Sequence, residues 1–222
     1  MADAELVPHA RNRVDASSVL GVNEEMLWPQ AVKDRVKTGT DREIVQTYPY
    51  RSACPSTTWG ELISGAAEEV FFAGYTNYFL WLEQPNFAAT LVEKMKAGVR
   101  VRFLLGDPDA EVTRSRERVE NVALSVSTRI RITLENVQKI GSHERLEVRC
   151  SAPDDAAGHI ALSVFRFDRD ALVTPHLARL VGHDSPLIHL RKAMDGCMFD
   201  RFADHAEELW SAAVPLAETH SS

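Results

Sequence analysis

Three side chains that could bind an anion stand near the ends of predicted strands. Arg51 follows one strand and precedes Ser52, whereas Arg166 and His176 belong to a predicted hairpin and the segment after it. An arginine at a strand end can hold a phosphate or carboxylate through two parallel hydrogen bonds. The candidate ligand-binding residues are therefore Arg51, Ser52, Arg166 and His176. For each residue taken alone, a surface ion pair is the alternative interpretation.

A second candidate is the segment Gly106-Asp107-Pro108-Asp109, which follows a predicted parallel strand. Open α/β sheets place ligands at the carboxyl ends of such strands, so Asp107 and Asp109 are also predicted to contact a ligand. Glycine, aspartate and proline equally suit a plain turn, which is the alternative interpretation.

The histidines and cysteines do not predict a metal site. His176, His183 and His189 are separated by seven and six residues, and Cys197 follows eight residues later. Zinc ligands are usually spaced more tightly than this. The cysteines are three in number and far apart, which argues against a disulfide framework and favours a reducing cytoplasm. We therefore expect no metal and no cofactor.

The bulk composition is typical of a globular domain and not of a nucleic-acid-binding protein. The 222 residues are 45% hydrophobic and 26% charged, and the formal net charge is −7. Neutralising phosphates supplies most of the affinity for nucleic acid, so this charge opposes DNA binding by the chain alone. No apolar run approaches the roughly 18 residues that a membrane span requires, so no membrane partner is expected.

The N-terminal segment predicts two short helices. Val14, Ser18 and Val19 are about one helical turn apart, and Gly21 is placed to end their helix. Asn23 can cap a second helix, whose first turn would carry two glutamates. The polar residues 31–42 read as a linker.

The rest of the chain predicts an α/β domain. A strand over 70–75, a helix through Phe87, Leu91 and Met95, and a strand over 99–105 form a βαβ unit with parallel strands. A single apolar stripe predicts one long helix over 111–139. A third strand follows at 146–150, then a hairpin turned at Asp168-Arg169-Asp170, and a last helix over 199–213.

Two stretches resemble known families. Val7-Pro8-His9, Leu20 to Glu25 and Leu27-Trp28-Pro29 are similar to the last two helices of the XRE-type helix-turn-helix domain of actinobacterial transcriptional regulators. This resemblance implies that residues 1–30 are the C-terminal remnant of such a domain. It also implies that the recognition helix, which reads bases in the major groove, lies upstream of this chain.

The second stretch resembles the phospholipase-D-like domain fused to those regulators. The motifs that carry it are YPYRS (48–52), AGVRVRFLLGDPD (97–109), SVFRFD (163–168) and LVTPH (172–176). The resemblance implies an α/β fold over residues 43–215, with a mixed sheet flanked by helices, and an effector-sensing role.

The catalytic motif of that family, His-x-Lys-x₄-Asp, is missing. None of the eight histidines is followed by Lys two residues later; His159 has Ala161 there, and His189 has Arg191. We therefore predict an inactive sensor, with His159 and His189 as the catalytic candidates if the protein is an enzyme after all.

The expected partners follow from this family. We predict a small polar or anionic effector and a homodimer, with the helix over 111–139 as one contact. DNA would be reached only through the upstream reader. Two alternatives stay open: a phosphodiesterase or nuclease with a non-standard site, and an interaction module that titrates full-length regulators.

Overall fold

The computed structural model describes residues 8–29, 43–152 and 156–216. The chain divides into two compact units, residues 1–43 and 44–222. The predicted linker, residues 31–42, lies outside the described residues.

The N-terminal unit contains the two predicted helices, α1 (Ala10–Leu20) and α2 (Glu24–Leu27). Gly21 ends α1 in the left-handed conformation, with φ of 63°, which a residue without a Cβ adopts at little cost. The Nε of Arg13 on α1 donates to Glu24 at 2.7 Å. This contact ties the two helices together, and it engages an arginine that could otherwise contact a phosphate.

The second unit alternates helices and strands. Its strands are β1 (Ile44–Tyr48), β2 (Glu69–Ala73), β3 (Arg100–Leu105), β4 (Leu146–Cys150), β5 (Leu162–Phe167), β6 (Asp170–Pro175), β7 (Leu187–Arg191) and β8 (Val214–Pro215). Its helices are α3 (Ser56–Gly65), α4 (Tyr78–Glu83), α5 (Phe87–Lys96), α6 (Glu111–Glu120), α7 (Val126–Ile140), α8 (Ala156–Ala161) and α9 (Met198–Ala212). Short 3₁₀ turns occupy Arg51–Ala53 and Gly182–Asp184.

The strands form one mixed sheet in the order β1-β7-β6-β5-β2-β3-β4-β8. The predicted βαβ unit is confirmed, because β2 and β3 pair in parallel, and β4 continues the parallel set. The predicted hairpin is confirmed as the antiparallel pair β5–β6. Asp168 turns it with φ of 50°. Its carboxylate accepts hydrogen bonds from the backbone N–H groups of residues 67, 68 and 69, which fasten the turn to the start of β2.

Helices cover both faces of the sheet, so the predicted fold class, a mixed sheet flanked by helices, is confirmed. One face packs on buried side chains of α3, α4 and α5, among them Trp59, Leu80 and Leu91. The other face packs on α9 through Phe199, Ala206 and Trp210. The predicted last helix is confirmed with these buried positions.

The prediction of one helix over 111–139 was wrong. Asn121 adopts the left-handed conformation at φ of 45° and ends α6, and the Ser125 hydroxyl then accepts the N–H of Thr128 to begin α7. The apolar stripe is also discontinuous in burial. Val126 and Ile130 are buried, but Val119 and Val122 are 50% and 44% exposed. The left-handed turn at Asn121 therefore ends the helix, although the apolar residues keep a helical spacing across the break.

A further element escaped prediction. Strand β7, Leu187–Arg191, pairs with both β6 and β1 and carries His189. Among the residues that the structure describes, no helix combines the length and the apolar character that crossing a membrane requires.

Candidate functional site

The direction of the strands brings several predicted residues to one edge of the sheet. β2, β3 and β4 are parallel, and the antiparallel pairings through β5 and β7 give β6 and β1 the same direction. The carboxyl ends of these five strands therefore share one edge. A cavity of about 490 Å³ lies at this edge, a size typical of small-molecule sites.

The floor of the cavity is built from the ends of β2, β5 and β6. It includes Gly74, Ser163, Phe165 and Thr174. Gly74 must be glycine here, because a Cβ would lie 2.1 Å from the Asn77 Oδ1 and 2.8 Å from the Phe165 ring. The walls come from α4, from the connection between α6 and α7, and from the segment after β6.

Arg51 is the central cation of the cavity. It stands in the 3₁₀ turn after β1, where its guanidinium carbon lies 3.5 Å from the centroid of the Phe79 ring. Its Nε donates to the Gly182 carbonyl at 3.4 Å, but its Nη1 is buried and has no hydrogen-bond partner among the described residues. Burial lowers the pKa of Arg51 to about 10, so the group keeps its charge at neutral pH.

The side chain of the neighbouring Ser52 hydrogen-bonds to the wall of the cavity and not to its floor. Its hydroxyl donates to the His183 carbonyl at 3.1 Å, and the Arg51 N–H donates to the Ser185 carbonyl at 2.7 Å. These bonds hold the segment after β6 against the 3₁₀ turn after β1.

His176 and Thr174 place neutral polar groups in the cavity. The His176 Nε2 lies 2.8 Å from the Ser163 hydroxyl. Burial, followed by the charges of Arg116 and Arg51, lowers the pKa of His176 to about 4, so its imidazole is neutral at pH 7. Thr174 is fully buried, and its hydroxyl has no hydrogen-bond partner among the described residues. Unpaired buried polar groups are rare, and they call for a partner such as water or a ligand.

The other two arginines of the lining are already paired. Arg116 and Arg129 both bind the Glu120 carboxylate, Arg116 through its Nε at 2.9 Å. The remaining nitrogens of Arg116 donate to backbone carbonyls of residues 177, 178 and 180. This ion triplet joins α6, α7 and the segment after β6 into one wall.

Asp107 and Asp109 reach the same edge of the sheet but do not line the cavity. The Asp107 carboxylate accepts the Asp109 N–H at 2.8 Å, and its carbonyl accepts the Thr113 hydroxyl at 2.6 Å. Asp109 forms an exposed ion pair with Arg131 at 2.7 Å. The two hydrogen bonds belong to the turn that begins α6, and the ion pair reaches α7.

Arg166 lies on the opposite face of the sheet, beneath α9. It binds Glu69 and Glu207, and the same two carboxylates bind Arg102. We call Glu69, Arg102, Arg166 and Glu207 the α9 ion cluster. Burial alone would raise the pKa of Glu207, but the hydrogen bonds and charges of Arg102 and Arg166 outweigh it and lower that pKa to about 2. Arg102 and Glu207 were not among the candidate residues predicted from the sequence.

The two catalytic candidates do not share a site, and neither lines the cavity. His159 on α8 is fully buried, with its Nδ1 2.6 Å from the Ser151 hydroxyl. Burial, with added repulsion from His176 and His205, lowers the pKa of His159 to about 3. His189 on β7 instead binds the Asp170 carboxylate at 2.7 Å, where β6 begins at the far edge of the sheet.

No group of three or more histidine, cysteine, aspartate or glutamate side chains is arranged to hold a metal ion within the described parts of the chain. Cys54, Cys150 and Cys197 are free thiols.

No protein-family model matches the sequence, and no curated protein matches it either. Among solved structures, the chain is similar to TrmBL2, an archaeal chromatin protein described with a novel mode of DNA binding. The TM-score is 0.47 at 15% identity, over 93% of this chain and 65% of TrmBL2. This chain therefore spans less than two thirds of that protein.

Two further solved structures, NucT and Nuc, are also similar to this chain. NucT from Helicobacter pylori gives a TM-score of 0.47 at 11% identity, over 77% of this chain and 98% of NucT. Nuc from Salmonella typhimurium, a phospholipase D family member, gives 0.39 at 11% identity, over 70% of this chain and 86% of Nuc.

Proposed function

We propose that the α/β unit is the ligand-sensing domain of a transcriptional regulator, with a phospholipase-D-like fold that binds a small effector without turning it over. The observation that carries the proposal is a set of buried, unpaired polar groups on residues that line the cavity, namely the Arg51 Nη1, the Thr174 hydroxyl and the Asn77 Oδ1. A preformed cavity with a few convergent polar groups is the usual form of a small-molecule site.

The groups at the cavity floor favour binding over catalysis. His176 is held neutral by its low pKa of about 4, which makes it a weak base. Its hydrogen bond goes to Ser163, and no carboxylate among the described residues hydrogen-bonds it as an orienting group. Catalytic bases are usually oriented by such a third group.

The alignment of the family's catalytic motif with the β5–β6 hairpin also favours binding over catalysis. Counting His-x-Lys-x₄-Asp back from Asp168, which turns the β5–β6 hairpin, puts Ala161 at the His position and Ser163 at the Lys position. Ser163 lines the cavity. In this register the cavity holds a serine where the motif would place its phosphate-binding cation, and alanine replaces the nucleophile.

The main rival is a phosphodiesterase with a non-standard site, and the Ser163–His176 pair is the observation in its favour. The test is release of 4-nitrophenolate from bis(4-nitrophenyl) phosphate. We expect no release above the buffer rate from the native chain or from the variants His159→Gln, His176→Gln and His189→Gln. Hydrolysis by the native chain that disappears in one of these variants would reverse the assignment and identify the catalytic histidine.

The regulatory context remains part of the proposal. The helices α1 and α2 are consistent with the end of a helix-turn-helix domain, and Arg13 is engaged by Glu24 rather than free to bind a phosphate. The homodimer, the DNA reader upstream and the titration of full-length regulators stay predictions.

A further inference from the structure

We infer that the ligand of the cavity is an organic monoanion with an apolar, preferably aromatic, body. The inference rests on the proposed function, since it names the chemical class that this site would select.

The charge balance leaves room for one negative charge. Three arginines and two glutamates line the cavity, so these five side chains together carry one net positive charge. Arg116 and Arg129 share the single Glu120 carboxylate, so this triplet carries the net positive charge of the lining. Arg51 supplies a cationic hydrogen-bond donor, its Nη1, that has no acceptor among the described residues.

A single anionic group would satisfy the two unpaired donors of the lining, but not the unpaired Asn77 Oδ1, which is an acceptor. One oxygen of a carboxylate or phosphodiester can accept from the Arg51 Nη1, and charge-assisted bonds of this kind are about twice as strong as neutral ones. The Thr174 hydroxyl offers a second donor in the same cavity. A dianion fits poorly, because the lining carries only one net positive charge and Glu83, which also lines the cavity, already offsets part of the Arg51 charge.

The side chains of the cavity walls favour a ligand that is apolar apart from its anionic group. Phe79, Phe165, Leu124 and Val126 line the cavity together with the exposed side chains of Leu82 and Val122. Aromatic walls gain both from removal of apolar area from water and from ring–ring contact. Inorganic phosphate would use none of this surface.

Three naphthyl compounds that differ in charge separate the contribution of the anionic group to binding from that of the apolar ring. We would measure binding by isothermal titration calorimetry at pH 8 with 2-naphthoate, the neutral 2-naphthalenemethanol, and 2-naphthyl phosphate, which is a dianion there because its second pKa is about 6. We expect 2-naphthoate to bind about tenfold or more tightly than either analogue, and inorganic phosphate to bind more weakly still. Bis(4-nitrophenyl) phosphate is a second monoanion, and its affinity relative to that of 2-naphthoate shows whether the cavity prefers a phosphodiester or a carboxylate.

Variants of cavity residues test whether the probes bind in this cavity. Arg51→Met should weaken 2-naphthoate by about tenfold or more and abolish its preference over the alcohol. Arg51→Lys keeps the charge and should retain part of the preference, and Thr174→Val should weaken binding while preserving the side-chain shape. Arg114→Gln, which removes an exposed arginine outside the cavity, is the matched control and should bind like the native chain.

The outcomes separate the two levels of the proposal. Equal or tighter binding of the alcohol or the naphthyl phosphate overturns the monoanion inference and leaves the sensor proposal standing. Binding of 2-naphthoate that survives Arg51→Met and Thr174→Val in folded protein, judged by circular dichroism, also overturns it. Absence of binding by every naphthyl probe overturns the inference together with the proposed function of this cavity.

Discussion

Replacing Arg102 by methionine is expected to lower the free energy of unfolding of the α/β unit by about 3–5 kcal/mol. Arg102 is 2% exposed, with its guanidinium 3.9 Å from the centroid of the Phe71 ring. Its nitrogens donate to Glu207 at 2.8 Å and to Glu69 at 2.9 Å. Methionine would leave the two carboxylates with Arg166 as their shared partner, and Glu69 with the half-exposed Arg100 at 3.6 Å. Urea unfolding at pH 7, followed by circular dichroism, measures the change.

The matched control stands two residues earlier on the same strand. Arg100 pairs with Glu147 at 2.7 Å and, at 3.6 Å, with Glu69 of the α9 ion cluster, but its side chain is 47% exposed. Exposed ion pairs contribute about 0–1 kcal/mol, so Arg100→Met should be near neutral. Equal losses in the two variants would show that burial of the α9 ion cluster does not determine its contribution.

The second large effect is expected at Gly74, where alanine should destabilise the protein by about 1–3 kcal/mol or more. The added Cβ would meet the Asn77 Oδ1 at 2.1 Å and the Phe165 ring at 2.8 Å, and both neighbours are buried. Neither the ring nor the amide can yield without disturbing the floor of the cavity. Thermal and urea unfolding of Gly74→Ala provide the measurement.

Gly65→Ala supplies the control for the loss of glycine itself. Gly65 is the last residue of α3, and a Cβ there would meet nothing within 4 Å. Alanine is the better helix former, so this variant should be neutral or more stable by up to about 1 kcal/mol. A Gly74→Ala protein as stable as Gly65→Ala would mean that the close packing at the cavity floor is wrong.

Most of the fold could be predicted from local pattern. The alternation and apolar runs of β2 to β6 follow from the side-chain periods of strands and helices. The break between α6 and α7 could not, because Val119 and Val122 continue the helical period while lying exposed. The short β7 was missed because a five-residue strand carries little periodic signal, and because β1, one of its two pairing partners, is distant in sequence.

The site could be predicted only in part. Arg51, Ser52 and His176 line one cavity, because parallel strand ends share an edge. Arg166 is elsewhere, and the alternation of side chains along β5 is the signal that could have shown it, since Ser163 and Phe165 face the cavity side and Arg166 the other. The Arg51 stack on Phe79 depends on tertiary packing, so no local spacing indicates it.

The most direct test of ligand binding in this cavity is the Cε1–H NMR resonance of His176, followed against pH with and without 2-naphthoate. We expect free His176 to titrate near pH 4. A bound anion should shift its resonance saturably and raise its pKa, because the anion offsets the charge of Arg51. His143, between α7 and β4 at the opposite edge of the sheet, should not respond. A His176 that titrates near 6.5 and ignores the probe, or histidines that all respond alike, would contradict the account.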